Sequence, residues 1–247
     1  MKDQYAGDIN DYRKYGLLRR LGSGLHLTVC WMWTPDDARN DGSRIEYLAN
    51  PNLWRRYDPE LFDALDDLVR RRGHRSVGSI ERTGILEARG RQADLLGARR
   101  LRFHSVPLAD DGAERDRYFR ALWKLARGSD LLFFDPDNGL EIDSCRRGTR
   151  GSSRYLYAPE VEEAWTRGFF LLIYQHFPRV DRERYLAGRT SRLREWCPGS
   201  QVASFATSHV AFFLVALPVV MQALEERVAG VRRNWADQFA IRLHAGR

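Results

Sequence analysis

The chain has 247 residues, of which 43% are hydrophobic and 30% are charged, so one large domain can bury a core without disulfides or a metal. Three cysteines, Cys30, Cys145 and Cys197, form no even framework, which is typical of free thiols in a reducing compartment. The apolar runs are too short to span a bilayer and no signal segment is visible. These features predict a soluble, cytoplasmic protein with no membrane partner.

The net charge of +7 is compatible with RNA, DNA or another phosphate-bearing partner. Acidic residues are also plentiful, and nearly all the basic residues are arginine, as a GC-rich genome would produce. A charge that is spread in this way fits an ordinary solvated surface equally well. The charge alone therefore leaves a nucleic-acid partner open, and it does not indicate an oligomeric state.

Helices and strands alternate along most of the chain. Periodicity, capping residues and apolar runs predict the following elements in chain order: helix 8–21, strand 25–33, helix 58–69, short strand 76–80, strand 99–106, helix 114–127, strand 130–135, helix 159–167, strand 169–175, helix 182–196, strands 201–206 and 210–217, and a basic helix from about 219. Two Gly- and Arg-rich segments, 82–100 and 143–153, are predicted as loops, the second as a mobile flap.

This order predicts a single α/β domain over residues 1–247 with a doubly wound, mostly parallel, Rossmann-like sheet. The central strands are apolar on both faces, as a sheet covered by helices requires. The last two strands are joined too closely for a crossover helix, so they should form a C-terminal antiparallel hairpin.

The strongest candidate site is the acidic turn Asp135-Pro136-Asp137-Asn138-Gly139-Leu140-Glu141, which follows a buried strand. Three carboxylates in seven residues repel one another, and a cation, an amine or a donor-rich ligand would offset the repulsion. We expect the Asp135 side chain to project into a crevice, where it packs against little. The alternative is structural: Asp135 caps a helix or accepts buried hydrogen bonds, and Asn138-Gly139 is ordinary turn chemistry.

Other polar residues follow further strand ends, where ligands of open α/β sheets bind. Asp36, Asp135, His176 and Arg179 are predicted to line one pocket. Lys14, on the first helix, is either part of the site or a solvated charge. The remaining candidates are Thr34, Asp37, Asp41 and His209.

The segment Gly7-Asp8-Ile9-Asn10-Asp11-Tyr12-Arg13-Lys14-Tyr15 resembles the Gly-Asn-His-Ala-Asp-x-x-Lys-His motif of a large-subunit ribosomal RNA adenine methyltransferase, a class I S-adenosylmethionine-dependent enzyme. Its Asp-Pro-Pro-Tyr motif falls on Asp135-Pro136-Asp137-Asn138, and the terminal hairpin is similar too. This chain has no Gly-x-Gly turn after the first strand, and Asn138 replaces the aromatic residue.

The resemblance implies a methyltransferase-type fold and S-adenosyl-L-methionine as cofactor. It also implies that Asp135 and Pro136 orient the amine to be methylated. The resemblance also suggests a role for each candidate residue. The catalytic residues would be Asp135, Pro136, Asp137, Asn138 and His176. The cofactor would be bound by Lys14, Thr34, Asp36, Asp37 and Asp41, and the substrate by Glu141, Arg179 and His209.

Three functional hypotheses remain open. The first is a methyltransferase-like enzyme acting on nucleic acid or another amine-bearing substrate. The second is a Mg²⁺-dependent nuclease or phosphodiesterase, in which Asp135, Asp137 and Glu141 hold the metal while His176 or Lys14 assists. The third is a non-catalytic relative, which would bind neither cofactor nor divalent metal.

Overall fold

The computed structural model describes residues 1–37, 42, 44–87 and 101–244. Within them the helices are α1 Ile9–Leu21, α2 Pro51–Trp54, α3 Pro59–Leu65, α4 Val77–Thr83, α5 Gly112–Leu125, α6 Ala158–Thr166, α7 Arg182–Trp196, α8 Pro218–Ala223 and α9 Glu225–Trp235. The strands are β1 Leu27–Cys30, β2 Leu101–His104, β3 Leu131–Phe134, β4 Gly139–Leu140, β5 Tyr155–Leu156, β6 Phe170–His176, β7 Gln201–Ala206, β8 Val210–Ala216 and β9 Ala240–His244. None of these described helices combines the length and apolarity needed to cross a bilayer.

The main sheet has the strand order β2-β1-β3-β6-β8-β7-β9, and β4 and β5 form a separate small pair. The first four strands of that order are parallel, whereas β8 is antiparallel to both β6 and β7, and β9 is antiparallel to β7. The prediction of a doubly wound, mostly parallel sheet is therefore wrong, since the C-terminal half of the sheet is antiparallel.

The cause of this mixed sheet is the connection between β7 and β8. The two strands are joined by residues 207–209 only, which is too short for a parallel crossover and confirms the predicted hairpin. Because β8 then inserts between β6 and β7, both of its pairings are antiparallel. The edge strand β9 is short and half exposed, and periodicity did not indicate it.

Local capping decides where several helices begin. Asp8 caps α1 by accepting the backbone N–H groups of Asn10 and Asp11, which confirms the predicted start of that helix. The strand predicted over 76–80 is instead helix α4, because the Ser76 hydroxyl accepts the N–H of Ser79 and Gly84 ends the helix in a left-handed conformation.

Alternate residues of β3 point to opposite faces of the sheet, and helices cover both. Leu131 and Phe133 pack in a core with the aromatic residues of α1 and α9, whereas Leu132 and Phe134 pack in a second core with α5, α6 and α7. The buried strand β3 is therefore held from both sides. Its carboxyl end can position polar groups rigidly.

The segment 143–153, predicted as a mobile flap, is tied to its surroundings. The Asp110 carboxylate accepts the N–H groups of Gly151 and Ser153 at 2.7 and 2.8 Å. Arg147 forms ion pairs with Asp116 and with buried Glu160. These bonds oppose independent movement of the segment.

We expect Gly16→Ala to destabilise the fold by about 1–3 kcal/mol, because the added methyl group would overlap the buried Trp235 ring between α1 and α9. Gly188→Ala is the matched control, since nothing lies within 4 Å of the added carbon on exposed α7. That control should gain up to about 1 kcal/mol from helix propensity. Denaturant titration measures both, and equal effects would contradict the packing argument.

Candidate functional site

A cavity of about 350 Å³ lies at the carboxyl ends of β3 and β6, a volume at the lower end of small-ligand sites. The acidic turn forms part of its wall, and α1 and the first eight residues form another part. The lining residues are Met1, Lys2, Tyr5, Asp8, Asn10, Asp11, Lys14, Asp37, Gly42, Arg44, Asp135, Pro136, Asp137, Asn138, Arg154, Tyr174, His176 and His209.

Lys14 is buried between two carboxylates. Its Nζ lies 2.7 Å from Asp11 Oδ1 and 2.6 Å from Asp135 Oδ2, and it also contacts the rings of Tyr15 and Trp31. Burial disfavours the charge on Lys14, but the two carboxylates outweigh that effect, so its pKa is raised above the usual value. Lys14 is therefore a permanent cation that joins α1 to the acidic turn.

Asp135 is only 3% exposed, so the expectation that its side chain packs against little is wrong. Burial raises the pKa of Asp135, and Lys14 and a neighbouring ammonium group oppose that shift. The carboxylate is occupied by Lys14, which leaves the backbone carbonyl of Asp135 as the acceptor that other groups reach. That carbonyl accepts the Met1 α-ammonium group at 2.9 Å.

Asp137 has a different environment from that of Asp135. The Thr34 hydroxyl donates to Asp137 Oδ2 at 2.9 Å, and the Met1 α-ammonium lies 2.7 Å from Asp137 Oδ1. The second contact is an ion pair between oppositely charged groups. Asp137 therefore holds a positively charged nitrogen at the cavity wall.

Asp8 is a buried carboxylate on the cavity wall as well as the cap of α1. Burial, together with the nearby Asp11 carboxylate, raises the pKa of Asp8 from 3.8 to about 7. Near neutral pH it therefore exchanges a proton readily, as a general base must.

Gln175 fixes the acidic turn from β6, and sequence reasoning did not single it out. Its Nε2 donates to the Asn138 carbonyl at 2.8 Å, and its Oε1 accepts the Leu140 N–H at 2.9 Å. Gly139 has φ of 108°, and a Cβ there would overlap the Gln175 amide. The one available signal was an amide in an otherwise apolar strand; it is 1% exposed and donates to Tyr185 as well.

The residues predicted after β1 are held by the first few residues of the chain. Lys2 pairs with Asp37, and the backbone N–H of Gln4 donates to Asp36 Oδ1 at 3.0 Å. Asp37 lines the cavity, whereas Asp36 and Thr34 are not among its lining residues. Asp41 lies outside the described residues.

The remaining predicted residues divide between three places. His176 and His209 line the cavity with Asp135, as do Pro136 and Asn138. Arg179 lies in an adjoining open groove, which it shares with His209. Glu141 is elsewhere: its carboxylate accepts the N–H of Ala158 at the start of α6, so the three carboxylates of the turn do not converge.

Asp8→Asn should keep the helix cap and change the pH dependence of stability. Because the Asp8 pKa is raised on folding, the unfolded chain ionises first, and stability falls as pH rises from about 4 to 7 and then levels. The melting temperature of Asp8→Asn minus that of wild type should therefore increase over this window. Asp111→Asn is the control, because it makes the same change at the exposed cap of α5. A melting-temperature difference between Asp8→Asn and wild type that does not change with pH would contradict the raised pKa of Asp8.

Gln175→Leu should destabilise the fold by about 1–3 kcal/mol, because it removes the partner of the buried Leu140 N–H and one of the two donors to the Asn138 carbonyl. Gln201→Leu makes the same change on half-exposed β7 and should cost less than about 1 kcal/mol. Urea unfolding of both variants checks this, and comparable losses would argue against a specific clamp.

Comparison with known proteins finds distant structural similarity only. No family model matches the chain, and no curated protein matches it. Among solved structures, the chain is similar to the crystal structure of protein LPL1258 from Legionella pneumophila strain Philadelphia 1, which is assigned to family model DUF519. The identity is 13%, 98% of each chain is covered, and the TM-score is 0.48, a level of likeness that assigns neither fold nor function.

Proposed function

We propose that the Asp135 cavity binds an amine-bearing substrate and that the chain transfers a methyl group to this amine from S-adenosyl-L-methionine. The observation that carries the proposal is the contact already made by an ammonium group. The Met1 nitrogen lies 2.9 Å from the Asp135 carbonyl and 2.7 Å from Asp137 Oδ1, so both acceptors suit a nitrogen donor. A base of RNA or DNA with an exocyclic amine is one substrate of this kind.

The residues of the turn then have separate roles. When the substrate amine takes the place of the Met1 nitrogen, the Asp135 carbonyl and the Asp137 carboxylate accept its hydrogens and orient its lone pair. Positive charge that develops on the nitrogen is stabilised by the Asp137 carboxylate, which is largely buried. Asp8, whose pKa is about 7, accepts the proton that the amine releases. Lys14 and the Asp135 carboxylate position the turn.

The charged side chains that line the cavity suit S-adenosyl-L-methionine. The inner wall has five carboxylates, against two lysines and the Met1 α-ammonium, so it favours the sulfonium and ammonium groups of this cofactor; the carboxylates belong to Asp8, Asp11, Asp37, Asp135 and Asp137. When bound, the cofactor would supply the methyl group of its sulfonium; the S–CH3 bond would break as the N–CH3 bond forms, and S-adenosylhomocysteine would leave. Asp37, which follows β1, is the carboxylate of that loop that would face it.

The magnesium alternative receives less support from the geometry. Among the described residues no three His, Cys, Asp or Glu side chains are grouped as metal ligands would be. Glu141 caps α6, and the Asp135 carboxylate is paired with Lys14. The arrangement favours an amine over a divalent cation as the partner of the turn.

The test compares two acids of the same turn. Asp137→Asn should lower methyl transfer from radiolabelled S-adenosyl-L-methionine to RNA, DNA or adenine nucleotides by about a hundredfold, because a carboxylate facing the developing charge is lost. Glu141→Gln should leave transfer unchanged, because Glu141 lies outside the cavity.

Calorimetric titration with S-adenosylhomocysteine and with Mg²⁺ accompanies this assay. Wild type should bind S-adenosylhomocysteine. Binding of Mg²⁺ without S-adenosylhomocysteine would support the nuclease alternative, and binding of neither would support a non-catalytic relative.

A further inference from the structure

The mouth of the cavity has the opposite charge from its inner wall. Arg44 and Arg154 line the cavity beside His176 and His209, and Arg182 lines the adjoining groove that shares His209. These residues come from the segment before residue 46, the segment before β5, the first position of α7, the end of β6 and the β7–β8 turn. Only folding brings them together.

Several arginines among the described residues have no carboxylate partner, and two of them, Arg44 and Arg182, lie at the mouth. In the described ranges, neither Arg44 nor Arg182 forms an ion pair, and Arg182 contacts only the Phe177 ring, at 5.6 Å. By contrast, Arg19, Arg55, Arg115, Arg147, Arg167 and Arg242 each pair with an acid. Unpaired guanidinium groups that converge repel one another unless an anion lies between them.

The electrostatics at His209 support this convergence. Burial lowers the pKa of His209, and the positive charges of Arg44, Arg182 and Arg13 lower it further, with His176 adding to the effect. Two acids near the mouth have other partners: Asp181 caps α7 by accepting the Arg184 N–H, and the Asp110 carboxylate, which interacts with the charge of Arg154, accepts two backbone N–H groups. The mouth is thus a concentration of positive charge.

We infer that the mouth binds a phosphate group of the same ligand whose amine reaches the Asp135 turn, with Arg44 and Arg182 as its principal contacts. Arginine matches phosphate through its planar fork of N–H donors. The inference shares its cavity with the proposed function but does not require methyl transfer. A cavity with an acidic inner wall and a basic mouth fits a ligand that carries an amine at one end and phosphate at the other.

Two sources of phosphate share this chemistry. A mononucleotide would present a phosphomonoester, and a nucleic acid would present phosphodiesters that continue along the open groove formed by residues 177–182 and 208–209. The number of phosphates bound distinguishes them, because a polymer releases more counterions and its affinity falls more steeply with salt.

The experiment measures affinity by calorimetry for adenosine, AMP, inorganic phosphate and a single-stranded ten-nucleotide RNA, at 50 and 200 mM NaCl. Wild type should bind AMP about tenfold or more tightly than adenosine, since charge-assisted hydrogen bonds to phosphate are added. Arg44→Gln/Arg182→Gln should abolish that preference. Arg20→Gln/Arg232→Gln removes the same charge from two exposed arginines outside both cavities and should retain it.

Each outcome decides between these possibilities. A nucleic acid is the ligand if RNA binds more tightly than AMP and if the dependence of RNA affinity on salt is weaker in the Arg44→Gln/Arg182→Gln variant. Equal affinities for RNA and AMP identify a mononucleotide. Equal weakening by both double variants, or no binding of phosphate, AMP or RNA to wild type, would overturn the inference. The S-adenosylhomocysteine titration separates this inference from the proposed function. Phosphate binding without cofactor binding would support a phosphate site at the mouth and refute methyl transfer.

Discussion

The ion pairs of Lys14 with Asp11 and Asp135 are the interaction on which the site depends. They join α1 to the end of β3 across 121 residues of sequence, and both ends are buried. A buried ion pair contributes little net stability, because desolvation offsets the attraction, but leaving either charge alone is costly. The pairs therefore constrain how α1 docks, because a different position would leave a buried charge unpaired. The docked position sets the wall of the cavity that Asp8 and Asn10 form.

A second constraint acts on the same turn from the other side. Gln175 holds the backbone on either side of Gly139, so the turn is fixed by β6 as well as by α1. A turn held at both ends can present the Asp135 carbonyl and the Asp137 carboxylate in a constant geometry. Preorganised acceptors of this kind are what recognition of a small polar group requires.

Charge separation along the cavity follows from the topology. The carboxylates of the inner wall come from α1, the loop after β1 and the turn after β3, whereas the basic groups of the mouth come from the segment before residue 46, the segment before β5, the end of β6, α7 and the β7–β8 turn. The antiparallel hairpin brings the turn containing His209 to the same edge as the end of β6, because residue 210 pairs with residue 176. The part of the sheet that departs from a parallel fold thus contributes His209 to the basic mouth.

Sequence by itself determined the local features. The capped helix α1, the apolar strand β3, helix α7 and the C-terminal hairpin could all be predicted, because periodicity, caps and connection length are local properties. It also indicated the acidic turn and His176, since polar residues after buried strands mark ligand-binding edges. Helix α4 was missed because a short apolar run fits either helix or strand, and its Ser76 cap was overlooked.

Only the tertiary structure decided what each polar group does. Asp135 and Glu141 have the same chemistry and lie six residues apart, yet one is paired with buried Lys14 and the other caps α6. From the sequence alone, Lys14 is compatible with a solvated charge, and Gln175 is only an amide within an apolar strand. Burial and the identity of the partner decide the role of a charged or polar side chain. Both depend on residues distant in sequence, so no local pattern contains them.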